Sequence, residues 1–217
     1  MAPTTEASQY FSPDPLPPSD PTTVQLDLPD VSLTMTSDRG VFSREHVDVG
    51  TKLLLLTPSP VAQSEASEGD HIVDIGSGYG PIALTVARRN PRATVWAVDV
   101  NKRARDLCQL NAKAADTPKV NVVSPSEVPP DISFKQIWSN PPIRIGKKAL
   151  HELLRLWLPR LTPEGAAHLV VQKHLGADSL QKWIGSEGFE TSRYRSQKAF
   201  RLLLVTKKST PLEEGSQ

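Results

Sequence analysis

The chain has 217 residues, which is enough for one domain with a full hydrophobic core. Its single cysteine, Cys108, excludes a disulfide framework and a cysteine-ligated metal site. None of its five histidines shows metal-ligand spacing, so we expect no metal. No apolar run is as long as a membrane span, and no basic-then-apolar leader opens the sequence, so we expect a cytoplasmic protein without a membrane segment.

The first thirty residues differ in composition from the rest. They hold seven prolines and five acidic residues but no lysine or arginine, so this segment buries little apolar surface. We predict a disordered, proline-rich acidic tail over residues 1–22, one domain over residues 23–206 and a flexible tail over residues 207–217. Without the five acids, the net charge of +1 becomes +6 for residues 31–217, so the body of the protein is mildly basic.

A glycine-rich loop separates a predicted strand from a predicted helix. The strand-like run His71–Ile75 precedes Gly76-Ser77-Gly78-Tyr79-Gly80, and apolar residues at helical spacing follow Pro81. Glycines at alternate positions let the backbone turn tightly and approach a ligand closely. The pattern Gly-x-Gly-x-Gly differs from the dinucleotide fingerprint Gly-x-Gly-x-x-Gly, so the loop alone does not identify a cofactor.

Two carboxylates accompany this loop. Asp99 follows the next predicted strand, residues 93–98, where its oxygens can accept hydrogen bonds from the hydroxyls of a ribose. Asp74 would repel a pyrophosphate but suits a ligand with an ammonium group, such as the methionyl part of S-adenosylmethionine. The two acids therefore favour S-adenosylmethionine over NAD, and an NAD-dependent oxidoreductase stays as an alternative.

The motif Ser139-Asn140-Pro141-Pro142-Ile143 closes a predicted strand over residues 132–138. A base amine or a side-chain amide is a poor nucleophile because its lone pair is delocalised. An asparagine oxygen and a nearby backbone carbonyl can accept its two N–H protons and direct the lone pair toward an electrophile. The prolines stiffen the turn and carry no N–H. The motif indicates capture of an amine, although a plain strand-ending turn has the same residues.

Helices and strands alternate along the rest of the chain. The predicted elements after Asp99 are helices over residues 102–115, 146–158 and 177–185, and strands over residues 119–123, 167–172, 189–194 and 200–206. Alternation of this kind predicts an α/β fold with a doubly wound, mostly parallel sheet and helices on both faces. Ligands of such sheets bind at the carboxyl ends of the strands, where Gly76, Asp99 and Asn140 all fall.

With these motifs, the chain resembles small class I S-adenosylmethionine-dependent methyltransferases, in particular the ribosomal RNA guanine-N2 methyltransferase family, over residues 30–206. The resemblance rests on Gly40-Val41-Phe42-Ser43, Asp48-Val49-Gly50-Thr51, Val73-Asp74-Ile75-Gly76-Ser77-Gly78-Tyr79-Gly80, Asp99-Val100-Asn101 and Ser139-Asn140-Pro141-Pro142-Ile143. It implies a Rossmann-like sheet of seven strands with the last strand inserted antiparallel.

The resemblance also implies a role for each matching residue. The cofactor would be bound by Thr51, Asp74, Gly76, Ser77, Gly78, Asp99 and Val100, with Asp74 near its amino end and Asp99 at its ribose. Asn140 and the carbonyl of Pro141 would hold the target amine. The other expected substrate contacts are Phe42, Pro142, Ile143, Arg144 and Lys147.

The chain departs from the family pattern at two places. Many members have an aromatic residue where this chain has Ile143, so stacking on the target base needs another surface, for which Phe42 is a candidate unless it is a core residue. An acid near the adenine is common after the strand at 119–123, but here Ser124-Pro125-Ser126 follows.

Basic residues are common after the Asn-Pro turn, and Arg144, Lys147 and Lys148 lie nearest to it. If these cations share the face around Asn140, they would bind phosphates of RNA. The resemblance implies that the partner is RNA, in particular ribosomal RNA, and that the reaction is direct methyl transfer to guanine N2. Besides the oxidoreductase, two alternatives remain. A protein glutamine N5-methyltransferase would use the same turn on a side-chain amide, and a non-catalytic RNA-binding domain would retain the fold without turnover.

Overall fold

A computed structural model describes residues 17–57, 59, 66–141 and 146–208. The strands are β1 Thr22–Asp27, β2 Ser32–Ser37, β3 His71–Ile75, β4 Thr94–Val98, β5 Val120–Val123, β6 Phe134–Ser139, β7 Leu161–Gln172, β8 Phe189–Gln197 and β9 Phe200–Lys207. The helices are α1 Val49–Leu56, α2 Pro81–Arg89, α3 Lys102–Ala114, α4 Lys147–Trp157 and α5 Ala177–Ser186.

The centre of the molecule is a seven-stranded sheet in the order β5-β4-β3-β6-β7-β9-β8. Neighbouring strands from β5 to β7 are parallel. Strand β9 lies between β7 and β8 and is antiparallel to both. This arrangement confirms the predicted seven-stranded sheet with one antiparallel strand. Strand β7 begins at Leu161, six residues before the predicted start at residue 167. Pro163 and Gly165 are unusual inside strands, so the sequence pattern does not indicate a strand over the first half of β7.

Helices cover both faces of the sheet, as predicted. Helices α1, α2 and α3 pack on one face through buried residues such as Leu54, Leu84 and Leu107. Helices α4 and α5 pack on the other face through Leu154 and Ile184. A strand buried on both faces has no polar side, which explains why β3 reads as a short apolar run.

An antiparallel hairpin of β1 and β2, which the sequence pattern did not reveal, forms a separate small sheet. Its inward side chains, among them Leu26 and Met35, are buried and alternate with exposed residues. The amide of Asn111 on α3 accepts a hydrogen bond from Thr36 N (2.8 Å) and donates to Thr36 O (2.9 Å). An isolated hairpin is marginally stable, so docking on α3 gives it the support it needs.

The domain boundaries at residues 22 and 206 stay predictions. Residues 1–16 and 209–217 lie outside the described part of the chain. Within the described part, Ser19 Oγ donates to Asp38 Oδ2 and Asp20 N donates to Asp38 Oδ1, each at 2.6 Å. Ordered contacts with the domain therefore reach back at least to Ser19.

Gly80 joins the glycine loop to α2 in a conformation that other residues avoid. Its φ is 104°, in the left-handed region. A Cβ at this position would lie 2.9 Å from Cys108 Sγ and 3.2 Å from Leu84 Cγ. Both neighbours are buried, so neither can move away without cost.

We expect Gly80→Ala to destabilise the protein by about 1–3 kcal/mol, because it combines backbone strain with a steric clash. Urea unfolding would measure the change in the free energy of unfolding. The matched control is Gly185→Ala in α5, where an added Cβ meets no heavy atom within 4 Å. That control should be stabilising by about 0.5–1 kcal/mol. Equal effects of the two substitutions would contradict this account of Gly80.

Candidate active site

A cavity of about 490 Å³ opens at the carboxyl ends of β3, β4 and β6. Its lining includes Gly76, Ser77, Gly78, Asp99, Asn140 and Pro141. Strands β3 and β6 are adjacent and parallel, with Asp74 paired to Trp138, so the glycine loop and the Asn-Pro turn leave the sheet at the same level. Ser139 Oγ donates to Ile75 O at 2.7 Å and ties the two strand ends together.

The glycine loop is held against the end of β4. The N–H groups of Gly76 and Ser77 both donate to Val98 O, at 2.8 and 3.0 Å. Gly78 N donates to Asp99 Oδ2 at 2.8 Å. Gly78 has a φ of 57°, and the place where a Cβ would stand is open, so a ligand can approach its backbone closely.

Asp99 is fixed from two sides. Besides the bond from Gly78, its Oδ1 accepts a hydrogen bond from Asn101 N at 2.8 Å. Partial burial raises the pKa of its carboxyl, and these two backbone bonds oppose the rise. A carboxylate oxygen has more than one acceptor site, so each oxygen can still accept a bond from a ligand.

Asp48 orients the side chain of Asn140. Its Oδ2 caps α1 by accepting hydrogen bonds from Gly50 N (2.8 Å) and Thr51 N (3.1 Å). The same oxygen accepts a bond from Asn140 Nδ2 at 2.8 Å, and Thr51 Oγ1 accepts a second bond from that amide at 3.0 Å. A carboxylate only accepts, so the amide NH₂ faces Asp48. Among the described residues, none donates to Asn140 Oδ1, which leaves this oxygen for a ligand in the cavity.

Asp74 lies beneath the loop and is not part of the cavity lining. Its Oδ2 accepts a hydrogen bond from Ala83 N in the first turn of α2, at 3.0 Å. Its Oδ1 has no partner within the described residues. Burial raises the pKa of this carboxyl to about 8, against the bond from Ala83, and the charge of Asp99 adds to the rise. A contact between Asp74 and the amino end of a cofactor stays a prediction.

Two apolar side chains stand at the mouth of the cavity. Phe42 is 63% exposed and Val100 is 50% exposed, although both line the cavity. Phe42 is therefore not a core residue, and its ring is accessible to a planar ligand. The predicted contacts Pro142, Ile143 and Arg144 lie outside the described residues. Lys147 is exposed at the start of α4 and does not line the cavity.

The sequence pattern assigns no role in the site to several residues that the structure places there. Asp48 lies in one of the family motifs, and its position before a helix is a capping signal, but the pattern does not indicate its contact with Asn140. Tyr79 lines the cavity with a buried hydroxyl that has no hydrogen-bond partner within the described chain. Leu153 and Trp157 of α4 also line it. Their helical spacing indicated only a packed face.

Residues 17–57, 59, 66–141 and 146–208 contain no group of three or more His, Cys, Asp or Glu side chains arranged to hold a metal ion. In the same residues, no helix combines the length and the apolar character needed to cross a bilayer.

The sheet order, the glycine loop with Asp99 and the Asn-Pro turn together define a Rossmann-like methyltransferase. The sequence model of the methyltransferase small domain matches residues 32–202, and the chain belongs to this family. Enzymes of the family use S-adenosylmethionine, which confirms the predicted enzyme class and cofactor. The family assignment therefore decides for S-adenosylmethionine over NAD.

Relatives of known sequence or structure agree with this assignment. Bacillus subtilis (strain 168) YbxB is 32% identical over 204 residues, covering 93% of this chain and 99% of YbxB. Ribosomal RNA small subunit methyltransferase C of Shewanella sediminis (strain HAW-EB3) is 28% identical over 155 residues, which is 70% of this chain and 43% of that protein.

A solved structure has the same fold. The T. thermophilus 16S rRNA N2 G1207 methyltransferase (RsmC), in complex with AdoMet and guanosine, is similar with a TM-score of 0.70 at 22% identity. The match covers 90% of this chain and 52% of that chain. This chain therefore spans about half the length of the methyltransferase C proteins that it matches.

Asp74→Asn tests the buried carboxyl beneath the loop. The pKa of the folded state, about 8, exceeds the ordinary value of 3.8 that applies when the chain is unfolded. Between these values the folded protein holds a proton that the unfolded chain has lost. The contribution of Asp74 to the free energy of unfolding is therefore fully present below about pH 4 and decreases as the pH rises to 8. Asparagine does not titrate, and we expect a flatter profile for the variant.

The measurement is urea unfolding of both proteins, without added cofactor, at several pH values across that interval. Other titrating groups, such as the buried His168, are present in both proteins and cancel in the difference. Parallel profiles would contradict the assignment of a protonated Asp74.

Proposed function

We propose that this protein transfers the methyl group of S-adenosylmethionine to guanine N2 in ribosomal RNA. The observation that carries the proposal is the Asn140 amide, whose oxygen is free in a cavity that also contains the glycine loop and Asp99. Two relatives, an rRNA small subunit methyltransferase and a 16S rRNA N2 methyltransferase, support the choice of base and of RNA.

The cavity suits a ligand with positive charge and a ribose. The charged residues that line it, among those described, are Asp48 and Asp99, and both are acids. They would repel a pyrophosphate and attract a cation. Asp99 has acceptor sites left for ribose hydroxyls.

When bound, S-adenosylmethionine supplies an electrophilic methyl group on a sulfonium. The residues of the chain contribute positioning. Asn140 Oδ1 and the Pro141 carbonyl would accept hydrogen bonds from the two N–H groups of the target amine, while Asp48 and Thr51 keep the asparagine amide from rotating. As the N–C bond forms, the methyl–sulfur bond breaks and its electron pair stays on sulfur. The amine then loses one proton to water, since neither Asn140 nor Pro141 can take it up, so their contribution is orientation. Alignment of this kind can lower a barrier by roughly 7–11 kcal/mol.

The target base has to leave its stack before its amine can reach Asn140. Phe42 stands at the cavity mouth with most of its ring exposed and offers a stacking surface. Stacking on an aromatic side chain contributes roughly 1–3 kcal/mol per base. We assign to Phe42 the role of the aromatic residue that many members carry where this chain has Ile143. Pro142, Ile143, Arg144 and Lys147 stay predicted substrate contacts.

We expect Asn140→Ala to lower kcat on the order of 100-fold or more, because loss of the acceptor misplaces the amine. Cofactor affinity should be unchanged, since Asp99 and the glycine loop are intact. Transfer of a labelled methyl group to ribosomal RNA measures kcat, and calorimetry measures the Kd of the cofactor. Turnover at the wild-type rate would refute the role of Asn140.

The same variant tests the substrate in cells. Nucleoside mass analysis of ribosomal RNA should show loss of N2-methylguanosine when the protein is absent, recovery with the wild-type chain and no recovery with Asn140→Ala. Unaltered guanosines, together with methylation of a release-factor glutamine, would replace guanine N2 by a side-chain amide as the substrate.

We expect Asp99→Ala to weaken cofactor binding at least tenfold, because each charge-assisted hydrogen bond to a ribose hydroxyl contributes about 1.5–3 kcal/mol. The matched control is Asp106→Ala, which removes an exposed acid of α3 that pairs with Lys102 and does not line the cavity. Calorimetric titration with S-adenosylmethionine compares the two variants. Equal affinities for wild type and Asp99→Ala would contradict the ribose assignment.

A further inference from the structure

The mouth of the cavity has two flanks that differ in how their positive charges are compensated. On the flank formed by the N-terminal segment and α3, most cations contact an acid, and Arg105 instead donates to the carbonyls of Asp99 and Val100, at 2.8 and 2.9 Å. Arg39 and Arg44 both contact Asp20, at 2.9 and 2.6 Å. Lys102 contacts Asp106 at 2.7 Å. This flank therefore presents less uncompensated positive charge to a ligand than a flank of unpaired lysines would.

The opposite flank carries four exposed lysines, Lys147, Lys148, Lys173 and Lys198, which we call the lysine flank. Among the described residues, none of the four forms an ion pair. Two acids on this side are occupied elsewhere, because Asp178 pairs with Arg193 and Glu187 pairs with Arg155. Glu152 lies one turn after Lys148 on α4 and is exposed, but it forms no ion pair with the four lysines. The lysine flank therefore keeps a net positive charge.

The backbone brings two of these lysines to the cavity edge. Lys173 follows Gln172, a residue of the cavity lining. Lys173 N donates to Ala199 O at 2.6 Å, which places the turn that contains Lys198 beside it. The ring of Phe200, which ends this turn, is so close to Gly50 that a Cβ there would lie 2.7 Å from Cε1. Gly50 adjoins Thr51 in the cavity wall, so the turn borders the site directly.

The other two lysines begin α4, at the same edge of the sheet. Helix α4 follows the Asn-Pro turn and starts at the carboxyl end of β6. Its first turn contains no acid, and no side chain caps it. The partial positive charge of the helix start therefore adds to that of Lys147 and Lys148.

We infer that the lysine flank binds phosphates of the RNA substrate next to the nucleotide whose base enters the cavity. This inference rests on the proposed function. An unstacked base in the cavity forces its neighbouring phosphates to pass over the rim. A polyanion gains counterion-release energy from uncompensated lysines and gains little from cations already paired with acids. The RNA backbone therefore runs from the start of α4 to the turn between β8 and β9, and not across α3.

Two double variants test the surface, Lys147→Gln with Lys148→Gln and Lys173→Gln with Lys198→Gln. The matched control is Lys113→Gln with Lys119→Gln, which removes the same charge from exposed positions at the far end of α3 and just before β5. The probe is a fluorescein-labelled RNA stem–loop, titrated at several salt concentrations. Calorimetry with S-adenosylmethionine checks that the cavity is intact. If the first double variant fails to fold, Lys147→Gln alone replaces it, and if the second fails to fold, Lys198→Gln alone replaces it.

We expect each lysine-flank variant to reduce the slope of log Kd against log salt by about 1.4–1.8, since each phosphate contact contributes about 0.7–0.9. The control should keep the wild-type slope. Slopes that match the control in both lysine-flank variants would overturn the inference, as would a wild-type protein that binds no RNA.

Failure of the reaction and failure of the surface are distinguishable. RNA that binds through the lysine flank but is never methylated would contradict the proposed reaction without contradicting the RNA contacts of the lysine flank. RNA that both double variants methylate with an unchanged KM would contradict those contacts without contradicting the reaction.

Discussion

One carboxylate oxygen organises the site. Asp48 Oδ2 accepts hydrogen bonds from two backbone N–H groups of α1 and from the amide of Asn140, so the start of a helix and the end of β6 are joined at one atom. Because this oxygen cannot donate, the asparagine amide has one orientation, with its NH₂ group toward the helix and its oxygen toward the cavity. The amine-binding capacity of the Asn-Pro turn thus depends on a residue far away in the sequence.

The central part of this arrangement follows from the sequence. Short apolar runs that alternate with helical patterns predict parallel strands, and parallel strands place their carboxyl ends at one edge. Gly78, Asp99 and Asn140 each follow such a run, so their meeting in one cavity could be predicted without knowing any side-chain conformation. Tertiary contacts decide the finer points. Asp74 is the penultimate residue of the strand that precedes the loop, yet it faces Ala83 of α2 rather than the cavity, and no local pattern distinguishes the two directions.

The N-terminal hairpin shows a different limit of sequence reasoning. Leu26 and Met35 belong to a buried–exposed alternation of period two, but polar residues and an acidic, proline-rich segment surround it, so the sequence gives no clear strand signal there. What holds the hairpin is also distant in the chain. The Asn111 amide bonds both to Thr36 and to the carbonyl of Tyr79 in the glycine loop, at 2.8 Å for the latter. One buried polar side chain therefore connects the hairpin, α3 and the cofactor loop, and it is fully satisfied as burial requires.

Helix α4 contributes residues both to the lysine flank and to the wall of the cavity. Its first two residues, Lys147 and Lys148, belong to the lysine flank, whereas Leu153 and Trp157 further along form part of the cavity wall. If RNA binding displaces the start of α4 along the helix axis, Leu153 and Trp157 move with it. A displacement that changes the affinity of the cavity for its ligand would link the two ligands, and reciprocity then requires each to change the affinity of the other by the same factor. Binding of the methyl donor would in that case change the affinity of the protein for RNA without any contact between the donor and the RNA.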